Sequence, residues 1–413
     1  MASISQLTSR VIDLFGSPAT ADPSKLMNNL GVSSGGNVIV GAATSTDTST
    51  AKLQVTGKAS VDGLILPDGY IQVLTPTGRN VIINGDMRVQ QRSNLVCSAG
   101  VGGYGPADRW GALNAASAGG QFTQSVGTIT WNSVAYAASI QTVNTVIANS
   151  SGANYWTGFY QPIEGYNCFH FLGQPTSLSF IFNSNVTGTF SIAIRDYTGN
   201  NSFVTTFSYT TANTPKKITI NVPTIPTSLS IPNSNAGGMY LNIGAINTSG
   251  TYQTSTTGAW QSGNYMYAAG ATNWGGTVNN FIAITQVKLE LGTQITPYEW
   301  IEYGELFRRC QRYYQSFSGT VFVGAGASQS TTLAYVSIPL NTAMRSAPTI
   351  GYSGGPPQLY GPTAGVQNVT SFGTMYYSGG ALGVGVNTAA NQSLGQAVEL
   401  YANGGTIYLG SEL

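Results

Sequence analysis

A chain of 413 residues has room for two or three domains, and with 42% hydrophobic residues it can build cores for them. Only 8% of residues are charged, against roughly a quarter in ordinary globular proteins, and the net charge of +1 comes with no basic run able to track phosphates, which argues against nucleic acid as a partner. A surface kept polar by Ser, Thr, Asn and Gln, with 52 glycines, suits an extracellular, protease-resistant β protein better than a cytosolic enzyme.

The amino terminus, MASISQLTSRVIDLFG, lacks the basic start, unbroken apolar core and small-residue cleavage site of a secretory signal. No stretch is long enough to cross a bilayer as a helix. The protein is therefore expected to be made in the cytoplasm and to leave it by a route other than secretion, such as release by lysis within a particle. Ile4, Leu7, Val11, Ile12 and Phe15 form a short amphipathic segment, with a second at 23–30. Residues 1–34 thus fit an anchor that docks into a partner, and equally a capping helix. Over 35–79 the chain shifts to short β-branched runs, at 37–40, 52–55, 59–61 and 63–66, separated by Gly, Ser and Thr. Such short strands cannot bury a face alone, whereas three copies wrapped together could. A slender trimeric β stalk is the reading, and a flexible linker the alternative.

Residues 80–300 read as an all-β domain, with strand-like runs at 180–182, 189–194, 203–207, 217–222 and 239–243 between Gly, Asn and Pro signals. Even spacing of short strands argues a β-sandwich or jelly roll. Cys97, Cys168 and Cys310 stand at unrelated spacings and read as buried thiols, with neither a disulfide framework nor a metal site implied. The single His170, between Phe169 and Phe171, reads as a satisfied residue in a strand-like run, without a nucleophile motif beside it.

A polysaccharide hydrolase needs two carboxyl groups about 5 to 9 Å apart. Asp86 and Asp108 sit near Arg88 and Arg109, while Glu164, Glu290, Glu299, Glu302 and Glu305 belong to turns or to a helix; Asp62, Asp68 and Asp196 show no pairing. No catalytic residue and no cofactor is assigned. Glycan binding asks for exposed aromatic rings flanked by amides and hydroxyls. Asn154-Tyr155-Trp156 and the stretch from Tyr252 through Trp260, Tyr265, Tyr267, Asn273 and Trp274 provide both. Trp110, Trp156 and Trp260, taken singly, read as core residues. Trp274 has the best claim to exposure, and Trp156 and Trp274 are the binding candidates of this domain.

Val287, Leu289 and Leu291 alternate with Lys288, Glu290 and Gly292, predicting a half-buried strand before Pro297. Over 301–317 the period changes. Tyr303, Leu306, Phe307, Cys310, Tyr313, Tyr314 and Phe317 recur at helical spacing, predicting an amphipathic helix that acts as a structural hinge between two β domains. Residues 318–413 return to short strands, at 321–323, 333–338, 375–377, 398–401 and 407–409, with polar loops at 352–360 and 367–380. Loops on a rigid scaffold are where binding residues gather, so Tyr352, Tyr360, Tyr376 and Tyr377 are the candidate binding residues of this C-terminal β domain.

Several motifs stand in a definite order. Asn84-Gly85-Asp86-Met87, Gln91-Arg92 and Asp108-Arg109-Trp110 precede Gln161-Pro162-Ile163-Glu164-Gly165; then come Leu289-Glu290, Thr296-Pro297-Tyr298-Glu299, Tyr303-Gly304-Glu305-Leu306, Cys310-Gln311-Arg312-Tyr313-Tyr314 and Met344-Arg345, with Gly410-Ser411-Glu412-Leu413 at the end. This order resembles a family of bacteriophage tail-fibre and receptor-binding proteins, with Lys288 where that family has glutamine and Phe307-Arg308-Arg309 in a spacer. The stretch 51–57 is similar to a unit of phage fibre shafts. The resemblance spans about residues 80–413 and implies a homotrimer. It also implies docking to a phage tail or baseplate protein through the N-terminal segment and non-catalytic attachment of the tip to a host surface polysaccharide. No metal, nucleic acid or membrane insertion is implied. A tailspike depolymerase with carboxylates paired between subunits, and a purely structural fibre or decoration protein, are the alternatives from other classes.

Overall fold

The computed structural model describes residues 80–114, 120–147, 157–246, 250–363, 365–389 and 392–413, and five short strands among the first 79. The chain forms two compact units, 1–76 and 77–413. In the first, Leu30–Val32 pairs antiparallel with Val38–Val40, which runs parallel to Leu53–Val55, and Leu64–Ile65 pairs with Ile71–Gln72. The amphipathic segment at 4–15 and the cluster at 154–156, with Trp156, lie outside the described residues.

The second unit opens with a β-sandwich. Leu178, Phe180 and Phe182 alternate with polar or smaller residues along Thr176–Ser184, as do Phe190, Ile192 and Ile194 along Gly188–Asp196 and Phe203, Phe207 and Tyr209 along Asn201–Tyr209. Side chains of a strand alternate between faces, so each strand turns one apolar row inward, and these rows meet in a single core. One sheet runs in the order Lys216–Val222, Thr176–Ser184, Phe281–Leu291, Val134–Thr145, Gln121–Trp131 and Leu95–Ser98. The other runs Trp260–Ser262, Asn201–Tyr209, Gly188–Asp196, Gly237–Ile246, Thr157–Glu164, Gly111–Asn114 and Val101–Tyr104. Phe182 lies 4.8 Å from Phe190 and 5.0 Å from Phe207, centroid to centroid, joining the sheets through aromatic contacts.

Phe281–Leu291 is more buried than its alternation predicts, because it is an interior strand of a covered sheet. Lys288 and Glu290 are both buried and form an ion pair at 3.0 Å. Glu290 accepts from Thr296 N at 2.9 Å and Thr296 Oγ1 at 2.7 Å, and Lys288 donates to Pro297 O at 3.0 Å. The pair therefore fastens the segment after the strand back onto it.

The helix is Tyr303–Gln311, capped by Glu302, whose carboxylate accepts from Gly304 N and Glu305 N, each at 2.9 Å. Those two N–H groups hold the Glu302 carboxyl below its usual range. The expected apolar face is only partly continuous. Leu306 and Cys310 pack against Val89, but Tyr303 is exposed and stacks on Phe307, and Tyr313 and Tyr314 lie past the helix, Tyr313 in the turn that closes it and Tyr314 at the start of the next strand. Cys97, Cys168 and Cys310 are free and buried, and burial pushes the Cys97 and Cys168 thiols up to about 12.

After the helix, Tyr314–Ser318 pairs with Thr406–Gly410, which pairs in turn with Thr349–Ser353. Between these three strands the chain makes two excursions into a closed barrel, ordered Phe322–Ser328, Leu333–Pro339, Ala381–Thr388, Gly365–Tyr377, Gln358–Gly361 and Ala397–Tyr401. Val336, Ile338, Leu359, Leu382, Val384, Val386 and Leu400 fill its interior. The stretches expected as loops at 352–360 and 367–380 are largely strand, because Gly and Ser between the tyrosines are tolerated at the outward positions of a barrel whose inward positions carry the apolar residues.

Candidate functional site

The motif residues converge where sandwich, helix and barrel meet. Asn84 binds Val89 O and Asp108 O through its amide, and Trp110 Nε1 donates to Asn84 O at 2.9 Å. Asn84 and Met87 both have positive φ, at 55° and 59°, in a turn whose Gly85 lies against the Val287 carbonyl. Arg109, 1% exposed, donates through Nη1 to Glu412 and through Nη2 to Pro162 O at 2.7 Å, and its guanidinium lies 3.6 Å from the Tyr313 ring centroid. Arg92 donates to Asp108 Oδ1 at 3.1 Å and Glu412 Oε1 at 2.7 Å over the Tyr314 ring. Glu164 accepts from Arg312 Nη2 and from Tyr313 OH, both at 2.5 Å. Arg345 donates to Ser411 O, Glu412 O and Asn235 O at 2.8–2.9 Å. Burial outweighs these cations at Asp108, whose carboxyl is held above its usual range. Most of these polar groups point at one another, so the ordered motifs encode a joint and leave the ligand contacts to other residues.

Trp274, expected to be exposed, is fully buried. Asn273 accepts from Gly275 N and curls Trp274–Gly276 into a tight turn, which directs the indole inward, where its Nε1 donates to Gly244 O at 2.9 Å. Tyr377 donates to Met344 O at 2.6 Å and packs on the barrel core. Tyr352 is exposed with its ring against Phe372, and Tyr360 pairs with Val366 at the far end of the long strand Gly365–Tyr377 from Tyr376. His170 occupies a 3-10 turn, Phe169–Phe171, instead of a strand.

Tyr376 is the candidate that stands over a recess. Its ring is 62% exposed and 6.3 Å from that of Tyr335, and the two tyrosines flank a shallow groove of ≈ 410 Å³. The floor is small: Ala325 pairs with Ser337, Ser337 with Gly383, and Gly383 with Tyr376, in one row across four strands. No charged side chain lines it. A Cβ on Gly383 would meet nothing closer than 3.6 Å, so the glycine is not required by the fold and keeps the groove open. Tyr335 was legible in principle, since Ala334, Val336 and Ile338 turn inward and force Tyr335 and Ser337 outward.

Trp300 is a second exposed ring that composition did not single out. It is 51% exposed and stacked on Tyr136 at 5.5 Å and 21°, with Tyr298 edge-on at 5.1 Å and the Arg88 guanidinium 5.6 Å away. Its placement outside any strand or helix, after Pro297, was the signal available.

No family model and no curated protein matches the chain. Among solved structures it is similar to a protein titled "CBM4 structure and function", at 13% identity, with 41% of this chain and 78% of that one covered and a TM-score of 0.23. It is also similar to a family 11 carbohydrate-binding module of the Clostridium thermocellum cellulase Lic26A-Cel5E, at 10% identity, 46% and 91% coverage and a TM-score of 0.24. An arabinose-bound MgGH51 α-L-arabinofuranosidase matches at 10% identity and a TM-score of 0.27, over 52% of this chain and 26% of that one, so the chain spans about a quarter of that enzyme. Likenesses at TM-scores this low say nothing about what this chain binds.

Proposed function

We propose that the chain is a non-catalytic receptor-binding protein of a phage tail fibre, attaching a virion to a glycan on the host surface through the groove between Tyr335 and Tyr376. The observation that carries this reading is the pairing of two exposed rings with a charge-free floor of small residues. Apolar C–H faces of a sugar fit such rings, and the adjoining Ser337 hydroxyl can meet a sugar hydroxyl. In this reading residues 35–79 trimerise the fibre, and residues 1–34 dock it to the tail after synthesis in the host cytoplasm. Three grooves on one particle gain through avidity, by about 10²–10⁴ over one. The carboxylates favour binding over hydrolysis: Asp86, Glu164, Glu290 and Glu412 are engaged by cations, Glu302 caps the helix, and Asp196 holds its turn through Thr198, Asn200 N and Asn201.

The test is adsorption of purified full-length protein to a panel of bacterial cells and to their isolated polysaccharide, with reducing ends assayed in parallel. Adsorption without new reducing ends is expected, from a particle that scatters light as three copies of 43.1 kDa. Release of reducing ends would replace this reading with a depolymerase; a protein that neither adsorbs nor cleaves would be a structural fibre. Gly383→Leu, which fills the groove, and Tyr376→Ala, which removes a wall, should each weaken adsorption by about tenfold or more. Both should leave the melting temperature in place. Full adsorption by both variants would move the contact to Trp300 and Tyr136.

A further inference from the structure

A second recess, of ≈ 560 Å³, lies where the helix Tyr303–Gln311 faces the sandwich. Tyr166 and His170 line one side and Arg308, Arg309 and Arg312 the other, with Glu305 between the arginines. Arg308 Nε and Nη2 donate to Glu305 Oε2, Arg309 Nε donates to Glu305 Oε1 at 2.8 Å, and Arg312 reaches back to the buried Glu164. Three guanidinium groups therefore share two carboxylates, an excess of one positive charge (3 − 2) at one spot of a chain whose total net charge is also +1.

Arg309 Nη1 and Nη2 and Arg308 Nη1 have no acceptor among the described residues. Stability gives little reason for this clustering, because exposed helix pairs of this kind contribute only a few tenths of a kcal/mol. Burial holds the His170 imidazole below its ordinary range, so the charge of the recess at neutral pH comes from the arginines. Tyr166, 52% exposed, presents a ring in the same recess.

We propose that this cleft binds an acidic sugar, the carboxylate held by the Arg308 and Arg309 guanidinium groups and the pyranose ring set against Tyr166. Arginine matches a carboxylate with two parallel N–H donors, and the geometry is the same whether the acid is a single residue or one unit of a polymer. A phosphate substituent shares much of that chemistry. The cleft shares no lining residue with the groove at Tyr335 and Tyr376, so the assignment stands independently of it.

Calorimetric titration of the full-length protein with trigalacturonate, with its methyl ester and with glucose 6-phosphate tests the assignment. Trigalacturonate should bind, and the uncharged ester should bind at least about tenfold more weakly. The Arg308→Gln/Arg309→Gln variant should lose trigalacturonate affinity by a similar factor while melting like the parent, since both side chains are exposed on the helix surface. Arg309→Lys, which keeps the charge, should lose less. Affinity should fall as salt is raised from about 50 to about 500 mM, and Gly383→Leu should leave it unchanged. Equal binding of acid and ester, or an unaffected double variant, would overturn the site. Tighter binding of glucose 6-phosphate would overturn the carboxylate assignment in favour of phosphate. Loss of trigalacturonate binding in Gly383→Leu would overturn the separateness of the two sites.

Discussion

Arg109→Met should destabilise the unit formed by residues 77–413 by about 3–5 kcal/mol, the range seen when one partner of a buried charge pair is removed. The methionine keeps the apolar bulk against Tyr313 but takes from Glu412 one of its two guanidinium partners and removes the Arg109 donor from Pro162 O. Arg109→Met/Glu412→Gln should recover part of the loss, with a coupling of about 0.5–3 kcal/mol in a double-mutant cycle read from denaturant melts. A single variant within about 0.5 kcal/mol of the parent would mean that Arg92 alone can hold Glu412. The same contacts bear on truncation. Ending the chain near Phe317 would remove Glu412 from both arginines and the partner strand from Tyr314–Ser318. Lost adsorption by such a protein would therefore not locate the receptor contact, whereas Gly383→Leu would.

The second large effect is expected at Gly85. A Cβ there would overlap the Val287 carbonyl oxygen and crowd Tyr298 OH, while Val287 N donates to Gly85 O at 2.9 Å, so neither backbone can retreat without breaking the bond between them. Gly85→Ala should cost about 1–3 kcal/mol or more, as overpacking of a rigid contact does. Gly383→Ala, whose Cβ would make only ordinary van der Waals contact with Tyr376, should stay within about 0.5 kcal/mol. Thermal melts of the two side by side check the contrast, and equal melting temperatures would show that the turn at Gly85 yields.

The sandwich was legible because Leu178, Phe180 and Phe182 and their counterparts keep a strict period of two, and the helix because Leu306 and Cys310 keep one of four. Two things were not. Whether an aromatic in a Gly-rich stretch faces in or out depends on hydrogen bonds such as Asn273 to Gly275 N, which swings Trp274 into the core, and on which strands flank it, which decides for Tyr335 and Tyr376. The arginine cleft was hidden for another reason. Tyr166 and Arg309 stand 143 positions apart, and a helical repeat reports what shares a face, never what that face will meet.

The barrel's two excursions begin and end on the three strands Tyr314–Ser318, Thr349–Ser353 and Thr406–Gly410. Each is thus a closed loop hung from a common base, and lengthening a loop whose ends stay fixed costs only about 0.6 kcal/mol per doubling. Segments can be inserted at the turns between barrel strands without disturbing the arginine and glutamate contacts beneath them, whereas Arg345, at the end of the first excursion, is itself one of those contacts. In the fibre we propose, the recognition surface can then change by insertion at those turns while the joint beneath it keeps its contacts.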